Sequence, residues 1–306
     1  MNSANLPQKV KLVEVGPRDG LQNEKDLVPL DIKVDLINRL SKAGFPNIEA
    51  AAFVSPKWTP QMADSEQVMS HINRHSGTIY SALVPNIKGY ERALESKVDE
   101  VVIFSAASQA FAMKNINCSI EESFERFKPI AHAAKKDKLR LRGSVSCAFG
   151  CPYQGRVSAE EAATVVRYMM DLGCDEIDIA DTIGVATAGQ VKETFETIFK
   201  FAPAAIFSGH FHDTYGQSLA NIYAALQTGV SIFHSSIAGL GGCPYAKGAT
   251  GNVATEDVLY LMNGLGIETG INLDEIVPIG EFISKAIGKP NGSRVGKALL
   301  SKHSPS

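Results

Sequence analysis

Val10-Lys11-Leu12-Val13-Glu14-Val15-Gly16-Pro17-Arg18-Asp19-Gly20 is the stretch on which the fold turns. It reads as a strand-like run, Val10 to Gly16, that ends in a short charged loop. An open doubly wound sheet usually carries a glycine fingerprint after its first strand, and Gly16-Pro17-Arg18-Asp19-Gly20 does not fit one. Further runs rich in Val, Ile and Ala follow at Asn47 to Val54, Thr78 to Val84, Glu100 to Ala107, Leu139 to Ala148, Glu176 to Gly184, Ile206 to Asp213 and Ile232 to Gly241. Helical patterns lie between them. In Ser158 to Asp171, Ala162, Val165, Val166 and Met169 recur at steps of three and four, which lines them along one face that packs on a sheet. Eight such runs predict an α/β fold, a closed (β/α)8 TIM barrel.

The 306 residues allow one or two domains, and the barrel accounts for them as a single domain, 1–306. Residues from about Glu256 onward are mainly helical, interrupted at Asn291, Gly292 and Ser293, and either close the barrel bottom or extend it. Lys plus Arg is 30 against 33 Asp plus Glu, a net charge of -3 with no basic block, so a nucleic-acid partner is not expected. No apolar run approaches the ~20 residues that span a bilayer, which excludes a membrane protein built on helices. Met1 to Gln8 are too short and polar for a signal peptide, so the cytoplasm is the expected compartment. Five cysteines, odd in number and sparse, make no disulfide framework. Cys147 and Cys151 lack a second Cys or His pair at zinc-finger spacing and read as small buried residues near the end of the fifth run.

Reactive groups of a barrel sit at the carboxyl ends of its strands. There, His210-Phe211-His212-Asp213 closes the seventh run, and strand alternation sends both imidazoles to one side. Barrel closure sets the first, seventh and eighth runs side by side, which makes Asp19 the natural third ligand. Taken alone, Asp19 serves equally as a helix cap or as a partner of Arg18. Nitrogen and oxygen donors without a thiolate pair suit Mg²⁺ or Mn²⁺ and leave Zn²⁺ open. Asn252 either caps the helix that follows or adds a carbonyl ligand. Before it runs Gly239-Leu240-Gly241-Gly242-Cys243-Pro244-Tyr245-Ala246-Lys247-Gly248-Ala249-Thr250-Gly251, whose five glycines suggest a flexible lid. Glu49, inside the second run, needs a cation, and Arg18 on the adjacent run is the obvious one. The pair is either structural or places Arg18 to stabilise an enolate oxygen.

These stretches resemble the 3-hydroxy-3-methylglutaryl-CoA lyases, within the metal-dependent lyase and condensing barrels, almost end to end. The specific signals are Gly16-Pro17-Arg18-Asp19-Gly20-Leu21-Gln22-Asn23-Glu24, Phe53-Val54-Ser55-Pro56-Lys57-Trp58, Lys114-Asn115-Ile116-Asn117-Cys118, Asp181-Thr182-Ile183-Gly184 and His210-Phe211-His212-Asp213-Thr214-Tyr215-Gly216-Gln217. Arg-Asp and His-x-His alone are shared with isopropylmalate, citramalate and homocitrate synthase-like enzymes, whereas the loop around Cys243 resembles the lyase branch.

The resemblance implies cleavage of a small-molecule thioester, 3-hydroxy-3-methylglutaryl-CoA, to acetyl-CoA and acetoacetate. It implies a divalent cation, Mg²⁺ or Mn²⁺, held by Asp19, His210, His212 and Asn252, and a homodimer. Arg18 would hold the thioester oxygen, Glu49 would orient Arg18, and Cys243 would donate a proton to the enolate. His210 is a candidate base, a role otherwise unassigned. Gln22, Lys25 and Thr182 are weaker candidates for contacts with substrate and coenzyme. Ala52, Gln109 and His234 depart from the family pattern, where Ser, an acid and Asp are common. A plain surface or core substitution is the simplest reading of all three; the alternatives are that the first two bear on acyl-chain preference, since some relatives accept longer 3-hydroxyglutaryl thioesters, and that His234 perturbs the lid hinge or the neighbouring ligands. The rivals are a condensing acyltransferase and a catalytically silent barrel. A Schiff-base aldolase lacks its lysine in the sixth run.

Overall fold

The computed structural model describes residues 6–242 and 251–303. Eight parallel strands close a barrel: β1 (Lys11–Glu14), β2 (Asn47–Ala52), β3 (Ile79–Leu83), β4 (Glu100–Ala106), β5 (Arg140–Ser146), β8 (Glu176–Asp181), β9 (Phe207–Phe211) and β10 (Ile232–Ser235). A two-stranded hairpin, β6 (Gly150–Cys151) and β7 (Gly155–Arg156), rises from the loop after β5. Around the barrel β1 pairs with both β10 and β2, and β10 pairs with β9, which brings the first, seventh and eighth runs together as the sequence predicts.

The strands are shorter than the apolar runs because a ladder ends where the backbone turns. Residues Ala204–Ile206 form a 3₁₀ turn, so the seventh strand starts at Phe207. The eighth stops at Ser235, and Ala238 and Gly239 then adopt left-handed conformations at φ 55° and 63°, which no strand accommodates.

The predicted helix over 158–171 is Ala159–Asp171, with Ser158 and Glu161 forming a reciprocal capping box at its start. Ala162, Val166 and Met169 are completely buried along its inner face, in the layer between helices and barrel. Apolar side chains such as Val166 and Met169 each contribute about 1.5–3 kcal/mol there.

Beyond β10 run the helices Thr255–Leu265, Leu273–Ala286 and Arg294–His303. This segment touches the barrel at both ends. Glu268 exchanges backbone hydrogen bonds with Gln8 and Val10 at the amino end of β1, whereas Gly292 donates to Ala238 beside the carboxyl end of β10. It spans the height of the outer layer and packs on Leu30–Lys42. Among the described residues no helix is long and apolar enough to cross a membrane.

Candidate metal centre and active site

Beyond β1 the chain enters a π-helical turn, Gly16–Gly20, in which the N–H groups of Asp19 and Gly20 both donate to the Val15 carbonyl. The turn carries Arg18 and Asp19 to the carboxyl mouth of the barrel. His210 lies in β9, and His212 lies just past its end, where its backbone bridges antiparallel to Asn252. Hydrogen bonds from Val253 to Phe211 and from Asp213 to Gly251 hold the two segments side by side. Asn252 reaches the histidines by this pairing. Tight approach of the loop ends requires glycine: Gly251, at φ 89°, would put a Cβ 2.5 Å from the Gly241 carbonyl carbon, and Gly241, at φ 135°, would put one 2.8 Å from Asn252 Nδ2.

Four side chains converge. Nε2 of His210 is 2.8 Å from Asn252 Oδ1 and 3.9 Å from Asp19 Oδ2, and Asn252 Nδ2 donates to Asp19 Oδ2 at 2.8 Å. Asp19, His210 and His212 each offer a donor atom within 4.8 Å of the others. His212 Nδ1 is buried with no hydrogen-bond partner, beside a cluster of oxygen and nitrogen donors. The cluster is able to hold a metal ion. Asn252 is not a helix cap, since Ala254 occupies that position in the helix Thr255–Leu265. Neither does Asp19 cap a helix; it accepts from Arg18 Nη1 at 2.8 Å.

Glu49, buried in β2, takes Nε and Nη2 of Arg18 on one oxygen and Nη2 of Arg142 on the other. Burial alone would raise the Glu49 carboxyl, but Arg18 and then Arg142 outweigh it and hold it below the usual range. Burial likewise opposes ionisation of Asp19, and Arg18 with the two histidines brings it well below the usual range. Burial, reinforced by the neighbouring His210, depresses His212 to about 4. Burial also depresses His210, against the pull of Asp19. The site thus presents neutral imidazoles beside an ionised carboxylate near neutral pH, the protonation states a cation requires.

Thr182, just past β8, accepts the Cys147 N–H at 2.8 Å, so its hydroxyl steadies the loop after β5. Cys147 and Cys151 are buried as expected. Gln22 is half-buried and Lys25 exposed on the turn after Asp19. Cys243 and most of the proposed lid lie outside the described residues. Of the departures from family pattern, Ala52 is fully buried with its backbone held by Ser65 Oγ, and Gln109 accepts the Ile120 N–H at 3.0 Å. His234 is not a plain substitution: its Nδ1 is 3.2 Å from Nδ1 of His210.

Arg142, Glu100, Glu176 and Asp178, which sequence reading passed over, line the same interior. Arg142 lies 3.5 Å from Glu100 and 3.2 Å from His234, and Glu176 lies 3.3 Å from His234. The signal was available, since each is a charged residue inside a strand run, as Glu49 is.

Residues 9–283 match the family model described as HMGL-like. The chain is 55% identical over 298 residues to a 3-hydroxy-3-isohexenylglutaryl-CoA/hydroxy-methylglutaryl-CoA lyase of Pseudomonas aeruginosa, covering 97% of this chain and 99% of the relative. A crystal structure of hydroxymethylglutaryl-CoA lyase from Pseudomonas aeruginosa superposes with a TM-score of 0.96 at 55% identity, covering 97% of this chain and 99% of that one. The structure of an HMG-CoA lyase from Acinetobacter baumannii, in complex with coenzyme A and 3-methylmalate, superposes at 0.93 with 37% identity, covering 100% of this chain and 99% of that one.

Proposed function

The chain belongs to the HMGL-like family, and from that premise we propose that its barrel mouth cleaves 3-hydroxy-3-methylglutaryl-CoA to acetyl-CoA and acetoacetate. The observation that carries the reading is the convergence of Asp19, His210 and Asn252, with His212 beside them and Arg18 bonded to Asp19. Asp19, His210, His212 and Asn252 would hold a divalent cation, Mg²⁺ or Mn²⁺ by a set of nitrogen and oxygen donors that lacks a thiolate. When bound, such an ion polarises the substrate oxygens that coordinate it.

Loss of the C3 hydroxyl proton to a base, a role that His210 fills only while its Nε2 is released from the cation, lets the oxygen's electron pair form the ketone of acetoacetate. The C2–C3 bond breaks, and its electrons pass into the enolate of acetyl-CoA. Arg18 would meet that charge. Glu49 and Asp19 fix the guanidinium, leaving outer N–H groups to donate to the thioester oxygen as it becomes negative. Glu49 is thereby a positioning residue. The Cys243 thiol, mostly protonated near neutrality at an ordinary pKa of ~8.5, donates a proton to C2 and completes acetyl-CoA. Gln22, Lys25 and Thr182 are assigned to the rim that meets substrate and coenzyme, on their place at the carboxyl ends of β1 and β8.

A single domain over 1–306, a homodimer and residence in the cytoplasm complete the proposal, and sedimentation velocity of the purified protein tests the dimer. The central experiment measures acetyl-CoA and acetoacetate release from 3-hydroxy-3-methylglutaryl-CoA and from longer-branched 3-hydroxyglutaryl thioesters, with and without chelator. Stoichiometric release that stops on chelation is expected. Formation of a 2-hydroxy acid from acetyl-CoA and a 2-oxo acid, without thioester cleavage, would favour the condensing rival. Cys243→Ser should lower kcat about 10²–10⁴-fold, the usual worth of a positioned proton donor, with unchanged thermal stability. An equal rate removes the thiol from the mechanism.

A further inference from the structure

We propose that His234 and Glu176 are positioning residues that, as a cation takes Nε2 of His210, accept the proton on the Nδ1 side and so favour the one tautomer able to ligate it. The inference rests on the metal-site reading above. A neutral imidazole has one N–H and one lone pair, and the bond made by either nitrogen fixes the role of the other. Without an ion, Nε2 of His210 donates to Asn252 Oδ1 at 2.8 Å, because an amide oxygen only accepts, and it lies 3.9 Å from Asp19 Oδ2; ligation needs the lone pair at Nε2 and the proton on Nδ1. Nδ1 lies 3.2 Å from Nδ1 of His234. That ring must then accept, which places its own proton on Nε2, 3.3 Å from Oε1 of Glu176. Lys11 Nζ, 3.0 Å from the other Glu176 oxygen, keeps a positive charge beside the carboxylate that ends the row.

The opposite direction is also within reach. Arg142 Nη1 stands 3.2 Å from His234 Nε2. With Arg142 donating there, every proton in the row runs the other way and His210 carries its N–H on Nε2, the arrangement that its bond to Asn252 Oδ1 requires without an ion. Glu176 opposes that reversal by offering a full negative charge to the same nitrogen, while Glu49 and Glu100 compete for Arg142. Outer partners of this kind orient a metal-ligating imidazole and raise its basicity. Here an imidazole and a carboxylate in series do the work usually given to one carboxylate or carbonyl.

Mn²⁺ titration of the metal-free protein, followed by calorimetry, reads the effect without turnover. His234→Leu removes the acceptor and should weaken Mn²⁺ binding about 10–100-fold. His234→Asn sets an amide oxygen near the position of Nδ1 and should recover most of that loss. Thermal unfolding in chelator reports whether each variant is folded before metal is added. Should the folded leucine variant bind Mn²⁺ as tightly as the parent, or the asparagine variant bind no better than leucine, the positioning role is wrong. If the leucine variant does not fold, Glu176→Gln carries the test: several-fold weaker binding supports the role, and an unchanged constant overturns it. A parent protein that binds no Mn²⁺ sinks the metal-site reading itself.

Discussion

Glu49 and Glu14 sit on neighbouring strands, both buried, yet one faces guanidinium groups and the other faces only neutral donors. Glu49 is clasped by Arg18 and Arg142. Glu14 accepts from the backbone N–H groups of Gly16 and Ile237 at 2.8 and 2.9 Å and bonds the Thr255 hydroxyl at 2.7 Å. Glu256 likewise takes the Ala238 N–H on both oxygens. Together Glu14 and Glu256 hold the turn Ile237–Gly239 at the root of the glycine loop. The contrast in protonation follows. Burial is the largest influence on all three, and only Glu49 meets full positive charges that overcome it. Burial carries Glu14 up to about 7 and Glu256 up to about 8. The interior beneath the site is therefore a column of matched charges, and the hinge under the loop is held by carboxyls that are easily neutralised.

The comparison breaks most visibly at Arg142, which is completely buried. Arg142→Met leaves Glu49 and Glu100 facing each other with one fewer cation, and should cost about 3–5 kcal/mol in chemical denaturation. A loss below 1 kcal/mol would mean that the column is not charge-matched. Next in size is the pH dependence of the hinge. Glu14 has a folded pKa above its unfolded value, so the folded state binds the extra proton, and its contribution is fully present below about 4.5 and lost as pH rises through about 7. Glu14→Gln, which stays neutral, should flatten stability against pH across that window, by an amount on the order of 1–3 kcal/mol. Thermal unfolding at pH 5 and pH 8 for both proteins checks it, and parallel curves would refute the assignment. Glu49 has the opposite sign: its contribution is present above the unfolded carboxylate value and fades only as pH falls into strongly acid conditions. The smallest effect belongs to the wet end of the column, where Lys11 meets Glu176 with a quarter of its side chain exposed. Lys11→Met should cost about 1 kcal/mol or less, because solvent screens the pair.

Much of this arrangement was legible from residues. The His-x-His step, the Arg-Asp turn and a glutamate inside an alanine-rich strand each break a local rule of burial or propensity, and such breaks mark chemistry. The turn type around Asp19 was not legible, since Gly-Pro-Arg-Asp-Gly has no local signature for a π-helical turn. Nor was the cap-or-ligand ambiguity of Asn252, which was resolved by an antiparallel bridge to His212 across a 40-residue separation. An effect of His234 on the neighbouring ligands was legible only as one alternative to an ordinary exchange, because its meaning depends on which ring nitrogen it meets.

The sequence by itself determined the alternation of strand and helix, the closed eight-strand barrel and the identity of the side chains at its carboxyl mouth, because hydrophobic period and residue chemistry are local properties. Only the tertiary structure decided which charges share a neighbour: Glu49 with two arginines, Glu14 with none, His210 with His234. Strand register around a closed barrel sets those distances, and register is a property of all eight strands together.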